Sequence, residues 1–222
     1  MARHLQSEMD KLKELSFNLC ADVEESVQKA VQALEERNPS LAETVIAHDG
    51  KINKSEVELE EECLKILALH QPVANDLRFV IAVLKLNNDL ERIGDLAVNI
   101  AERVLFLSQK DPVTIPFDFA TMADKTKRMV QKAHRALVNR DADLAREVCM
   151  LDDEVDEMNR EVYKHVEEGV RNHPDKISSM FSLLSAARHL ERIADHATNI
   201  AEDVIYMVDG EIVRHRTEDF QT

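Results

Sequence analysis

Apolar residues recur every three or four positions along almost the whole chain, the period of an α-helix with one buried face. The pattern predicts a long amphipathic helix from about Leu5 to Arg37. Asn38-Pro39-Ser40 interrupts it and offers a cap for a second helix, about Leu41 to Leu69. The seam of that helix reads Leu41, Val45, His48, Ile52, Ser55 and Leu59. His70-Gln71-Pro72 then turns the chain, and Pro72 suits the first turn of a third helix, about Val73 to Ser108. At 1.5 Å per residue that helix is roughly 50 Å long. Its seam, Leu86, Leu90, Ile93, Ala97, Ile100, Val104 and Leu107, alternates steps of four and three, as in helical bundles.

The pattern then starts again. Residues 90–104 read LERIGDLAVNIAERV and residues 190–204 read LERIADHATNIAEDV, identical at 11 of 15 positions. Residues 27–49 and 130–152 match at 11 of 23 positions, at an offset of 103 rather than 100, so three residues differ near the second turn. A fifth helix is expected to about Asn172, a turn at His173-Pro174-Asp175, and a sixth helix with the seam Ala186, Leu190, Ile193, Ala197, Ile200, Val204 and Met207. Short turns between long helices make neighbours antiparallel. The expected fold is all-α, a tandem repeat of two antiparallel three-helix bundles with six long helices. The bundles are placed at 1–110 and 118–222, joined by a proline-bearing linker at 111–117, and the polar tail after Asp209-Gly210 is expected to fray.

Composition agrees with helices: 4 Gly, 5 Pro and 4% aromatic residues in 222 leave little material for the turns of a β-protein. The net charge of −15 divides evenly, −7 over residues 1–110 (13 basic, 20 acidic) and −8 over the rest (15 and 23). An even negative field argues against nucleic acid and against direct binding to an anionic lipid surface. Cations, or a partner with a basic face, fit it. Cys20, Cys63 and Cys149 lack paired spacing and read as reduced thiols. No apolar leader and no run of eighteen apolar residues is present, so the expectation is a cytoplasmic protein that meets a membrane only through partners.

The repeat keeps polar residues that packing does not need: Glu91, Arg92, Asp95, Asn99 and Glu102 recur as Glu191, Arg192, Asp195, Asn199 and Glu202. With the seam at heptad positions a and d, these fall on the outer flank. Glu91 and Asp95 lie four apart on one face, as do Glu191 and Asp195. Counting back from the turns sets Asp49 level with Ile93, Asp152 level with Asp195, and Asp156 level with Glu191. Acids from two helices would then meet once in each bundle. Oxygen-rich sets of this kind suit Mg²⁺, Ca²⁺, Mn²⁺ or iron. Gly94 and Ala194 beside them leave room for an ion or a neighbouring helix.

The bland alternative is a solvated acidic face, since a like-charged i,i+4 pair costs only about 0.2–0.5 kcal/mol. Carboxylates converging to about 5 Å would instead cost roughly 3 kcal/mol per pair and demand a cation or proton. Arg92 and Arg192 are read as partners of nearby acids in preference to anion binding. His48 and His165 are read as satisfied core histidines, and His196 as a ligand candidate without a twin, Leu96 standing in its place. Glu58, Glu60, Glu61 and Glu62 read as a wet face, and Met122, Met129, Met150, Met158, Met180 and Met207 as core filler. No Glu-x-x-His pair, HExxH, P-loop or nucleophile elbow occurs, so no enzyme is expected. The rivals are a metal-free helical scaffold and a carboxylate-bridged metal enzyme.

The tandem LERI(G/A)D copies, with QPVANDLRFVIAVLKLNNDLERIGDLAVNIAE (71–102) and LLSAARHLERIADHATNIAED (183–203), resemble the PhoU family of bacterial phosphate-signalling accessory proteins. Asp49 and Asp152 add to the likeness, which spans essentially the full chain. The resemblance implies two three-helix bundles side by side with surface metal sites at Glu91/Asp95 and Glu191/Asp195. Asn99, Asn199 and the second-helix acids Asp49, Asp152 and Asp156 join these by family pattern. The ions expected are divalent or trivalent: iron, zinc, manganese or magnesium. The resemblance further implies a non-enzymatic coupler between a phosphate ABC transporter, through its ATPase subunit, and a sensor histidine kinase. It would repress uptake and the phosphate-starvation response when phosphate is plentiful. A homodimer is also expected. Asn53 stands where the second half has Asp156, and Leu96 where it has His196, so the first site is expected to bind metal more weakly.

Overall fold

The computed structural model describes residues 2–113 and 117–210. Within them the chain forms six α-helices: α1 (Ala2–Glu36), α2 (Pro39–His70), α3 (Ala74–Ser108), α4 (Phe119–Asn139), α5 (Ala142–Asn172) and α6 (Ile177–Asp209). The tail and residues 114–116 of the expected linker lie outside the described residues.

The turns show why the repeat folds as it does. Arg37 and its counterpart Arg140 both end a helix in the left-handed region, φ 50° and 55°. Asn38 and its counterpart Asp141 then cap the next one, their side-chain oxygens accepting from Leu41 N at 3.1 Å and Leu144 N at 3.0 Å. The second turns differ. Three residues, Gln71 to Val73, separate α2 from α3, whereas His173 alone separates α5 from a single 3₁₀ turn (Pro174–Lys176) leading into α6. The connection in the second half is the longer one, and the shortening implied by the change of offset falls on the helices: α5 has 31 residues against 32 in α2, and α6 has 33 against 35 in α3.

Every residue of the expected α3 and α6 seams is buried. Each set of three helices packs as an antiparallel bundle, and the bundles lie side by side through α3 against α6 and α1 against α4. The buried apolar residues of both halves form one continuous core. Across α1 and α4, Gln131 Nε2 donates to Glu24 Oε2 at 2.7 Å, and the buried His134 sits 3.4 Å from Ser16 Oγ. Even a surface pair is doubled: Asp22–Lys51 ties α1 to α2, and Lys125–Glu154, at the related positions with the signs exchanged, ties α4 to α5.

Three expectations fail where a neighbouring helix decides the environment. Glu62 is not on a wet face: it is 7% exposed and clamped by Lys11 Nζ at 2.6 Å and Lys65 Nζ at 3.0 Å. Met150 is 50% exposed and fills no core, although Met122, Met129, Met180 and Met207 do. His48 is half-buried, and its Nε2 has no hydrogen-bond partner, only the carboxylate of Asp22 at 3.8 Å. The three cysteines are buried and free, as expected.

Candidate metal centres

On the first flank the glycine in LERIGD sets the distance between helices. A Cβ at Gly94 would lie 3.3 Å from Ile52 Cγ2 and 4.0 Å from Asp49 Oδ1, so the space goes to the neighbouring helix. That approach brings α2's Asp49 against α3's acids. Asn53 Nδ2 donates to Asp49 Oδ2 at 2.8 Å, while Asp49 Oδ1 is buried without a partner. Glu91 Oε2 is also buried without a hydrogen bond; Arg92 Nε lies 3.3 Å from it as an ion pair, and Arg92 Nη1 donates to Asp95 Oδ2 at 3.2 Å. Burial raises the Glu91 pKa most, Asp95 raises it next, Arg92 opposes, and Glu56 and Asp49 add to the rise. Asn87, 2% exposed, donates to Glu56 O at 3.0 Å and Oε1 at 3.1 Å and leaves its own Oδ1 unpartnered.

The second flank repeats the arrangement with more charge. Asp152 has its pKa pushed up to about 7, by burial first and then by Asp195 and Asp156, the Thr198 hydroxyl pulling the other way. Glu191 is raised by burial, Asp195 and Asp156; Asp195 is raised by burial and Asp156, with His196 and Arg192 opposing. Asp156 accepts from Arg160 Nη2 at 3.4 Å, and Asn159 Oδ1 is buried without a partner. The structure thus gathers Asp49, Glu91 and Asp95 on one flank and Asp152, Asp156, Glu191 and Asp195 on the other. Asn99 and Asn199 lie one turn further along α3 and α6 and make no side-chain hydrogen bond among the described residues. His196 is turned away: its Nδ1 lies 2.8 Å from Asp89 Oδ1 on α3.

Among the described residues, one set of three His, Asp or Glu has ligand atoms all within 4.8 Å of one another, and it is Asp22, Glu25 and His48 on the α1–α2 flank. There Lys51 Nζ holds Asp22 at 2.6 Å and Lys29 Nζ holds Glu25 at 2.7 Å, so two ammonium groups already supply the positive charge. The expected acids are coupled more loosely, near enough to raise the pKa values of Glu91, Asp152, Glu191 and Asp195. Sequence reasoning missed Glu56, Asn87 and Asn159. Glu56 and Asn159 could have been found, because they are related by the same offset of 103 and lie seven residues beyond Asp49 and Asp152.

The repeat also swaps volume across the interface. Ile52 faces Gly94 in the first half; Val155 and Ala194 stand at the related positions in the second. Gly94→Ala is expected to cost about 1–3 kcal/mol by overpacking against buried Ile52, less about 1 kcal/mol regained in helix propensity. Adding Ile52→Val, which removes the Cδ1 that would lie 3.5 Å from the new Cβ but keeps Cγ2, should recover part of that loss, giving a favourable coupling in a double-mutant cycle by urea denaturation. Additive single effects would show that the two positions do not share space.

A doubled three-helix bundle with acids from two helices on the flank of each copy defines the class of molecule. The PhoU domain model matches it twice, at residues 18–104 and 119–204. The phosphate-specific transport system accessory protein PhoU homolog 1 of Thermotoga maritima is 39% identical over 210 residues, covering 93% of this chain and 90% of that protein. Its Aquifex aeolicus counterpart is 39% identical over 212 residues, covering 96% of each. The crystal structure of PhoU from Pseudomonas aeruginosa superposes with a TM-score of 0.86 at 36% identity, covering 93% of this chain and 99% of that one. The phosphate transport system regulatory protein PhoU from Streptococcus pneumoniae gives 0.83 at 30%, covering 94% and 99%. The chain belongs to the PhoU family.

Proposed function

We propose that this protein is a non-catalytic accessory regulator of phosphate transport that binds metal ions on its two acidic flanks. It couples the ATPase subunit of a phosphate ABC transporter to a sensor histidine kinase and restrains uptake and the starvation response. Relatives named as phosphate-specific transport system accessory proteins support the phosphate part of this reading. The observation that carries the metal part is one acid arrangement built twice, with Asp49 Oδ1 and Glu91 Oε2 buried and unpartnered in one copy and Asp152 held to about 7 in the other. Carboxylate and amide oxygens are hard donors and fit magnesium, manganese or iron, with zinc accommodated by the carboxylates. Asp49, Glu91, Asp95 and Asn99 would hold one centre, and Asp152, Asp156, Glu191, Asp195 and Asn199 the other. A bound cation there supplies positive charge that ties α2 to α3 and α5 to α6.

The partner surface in this reading is the α3–α6 face. Its exposed apolar residues come in pairs one hundred apart: Leu77 and Ile177, Ile81 and Phe181, Phe106 and Tyr206, each at least 36% exposed. Among the described residues no helix is long and apolar enough to cross a membrane; in this reading the protein meets a membrane through its partners. Metal analysis of the purified protein tests the first part. Glu191→Ala/Asp195→Ala is expected to remove more metal than Glu91→Ala/Asp95→Ala, because Asn53 replaces Asp156 in the first centre. Unchanged stoichiometry in both variants would remove these acids from the mechanism. Deletion of the gene is expected to derepress phosphate-starvation genes; normal repression would sink the coupling role.

A further inference from the structure

The α3–α6 seam carries an approximate two-fold, so each cross-helix contact has a counterpart one hundred residues away. In one arm the counterparts are closed by polar partners, each including a carboxylate. Lys85 Nζ on α3 donates to Asp203 Oδ1 on α6 at 2.8 Å, and Asp89 Oδ1 meets His196 Nδ1 at 2.8 Å. Carrying these contacts through the repeat sets Arg103 of α3 by Ser185 of α6, and Leu96 by His189. The second arm therefore has no carboxylate at any of the four positions. Arg188 and Arg192 flank it on α6, where the first arm has Asn88 and Arg92.

The polar atoms left over point the same way. Arg103 Nε and His189 Nδ1 are both buried without a hydrogen-bond partner, and Ser185 Oγ lies 3.2 Å from His189 Nε2. Ser185, Arg188, His189 and Arg192 recur at steps of three and four and so share one face of α6; burial lowers the His189 pKa most, and the charges of Arg192, Arg103 and Arg188 lower it further. Among the described residues Arg103 Nη2 pairs with its chain neighbour Glu102 alone, at 3.6 Å. Arg188 and Arg192 make no ion pair among the described residues. Arg92, the twin of Arg192, behaves as expected and pairs with Glu91 and Asp95. The nearest acids on α6, Glu191 and Asp195, belong to the second carboxylate cluster and feel these arginines only as a background charge.

A buried guanidinium N–H without an acceptor is destabilising, more so than a neutral group would be, and an anion that accepts from it removes that cost. Guanidinium groups drawn from two helices, with a hydroxyl and an imidazole beside them, suit a phosphoryl anion, which offers more acceptor oxygens than a carboxylate. We propose that Arg103, Arg188 and Arg192, with His189 and Ser185, form a binding site for a phosphoryl oxyanion on the open arm of the α3–α6 seam. The site uses none of the metal-centre acids and goes beyond the regulatory reading above.

Calorimetric titration of the full chain, chelator-treated so that no metal is involved, tests it at physiological salt with inorganic phosphate, phenyl phosphate and acetate. One phosphate per chain is expected, with Arg103→Gln and Arg188→Gln each weakening it at least ~10-fold and Lys85→Gln, on the closed arm, leaving it unchanged. Circular dichroism confirms that each variant is folded, and the Arg103 Nε–H resonance should shift on binding. Binding of phenyl phosphate as well would mean that the site takes a phosphoryl group carried on a larger molecule; its exclusion would mean that free phosphate is the ligand. Either result upholds the site. No binding up to about 10 mM phosphate, equal loss in Lys85→Gln, or acetate binding as tightly as phosphate would overturn it.

Discussion

Replacing Phe79 by Ala is expected to cost about 3–5 kcal/mol of folding stability, the usual range for emptying a fully buried aromatic site. Phe79 is 0% exposed, and its ring is approached by Lys13 Nζ of α1 at 5.8 Å and by the Arg140 guanidinium at 5.4 Å. Arg140 ends α4, so this one side chain of the first bundle is also touched by the second. Each cation–π contact adds of order 0.5–1 kcal/mol at a surface site. Because the two halves share one core, denaturation followed by circular dichroism should remain a single transition at a lower midpoint. Two resolved transitions would show instead that the bundles fold as separate units.

Asp152→Asn should act in the opposite direction and only at higher pH. The Asp152 pKa is about 7 in the folded chain against 3.8 unfolded, so between these values the folded state binds the extra proton. Stability therefore falls as pH rises from about 4 to about 7 and is level beyond. Three pKa units correspond to about 4 kcal/mol at most; because Asp152 is only partly buried, solvent screening reduces this to about 2 kcal/mol. In chelator, Asp152→Asn is expected to match the wild type near pH 4 and to exceed it by that amount at pH 8. Added Mn²⁺ or Mg²⁺ should stabilise the wild type at pH 8 and the variant much less, since the ion relieves the same repulsion. A wild type whose stability is flat from pH 4 to 8 would remove the charge strain from the account.

The acid clusters were legible in the chain because both coordinates of a helical side chain can be counted. The 3.6-residue period gives its angle, and distance from a turn gives its height. Asp49, Glu91 and Asp95 came together on those grounds, as did Asp152, Asp156, Glu191 and Asp195. Counting fails where a third helix enters. Glu62 reads as one of a run of glutamates, and only α1, by supplying Lys11, makes it a buried ion pair. His196 reads as a ligand beside Asp195, yet α3 offers Asp89 and turns the ring away. Arg92 and Arg192 are the same residue with the same acids beside them in the motif, yet Arg92 pairs with Glu91 and Asp95 while Arg192 makes no ion pair among the described residues.

The sequence alone determined six helices, the buried seams of α3 and α6, the cap at Asn38 and the duplication, because periodicity and capping are local and repeat along the chain. Tertiary structure alone decided how the two bundles join. The stagger of α3 on α6 and of α1 on α4 is set by how side chains of distant segments interlock, and no local pattern encodes it. That stagger closes one arm of the seam with the Lys85–Asp203 ion pair and the Asp89–His196 contact, and leaves three arginines around the other. It also merges two repeats into a single core. Angle and height belong to a helix by itself; its neighbours come from the fold.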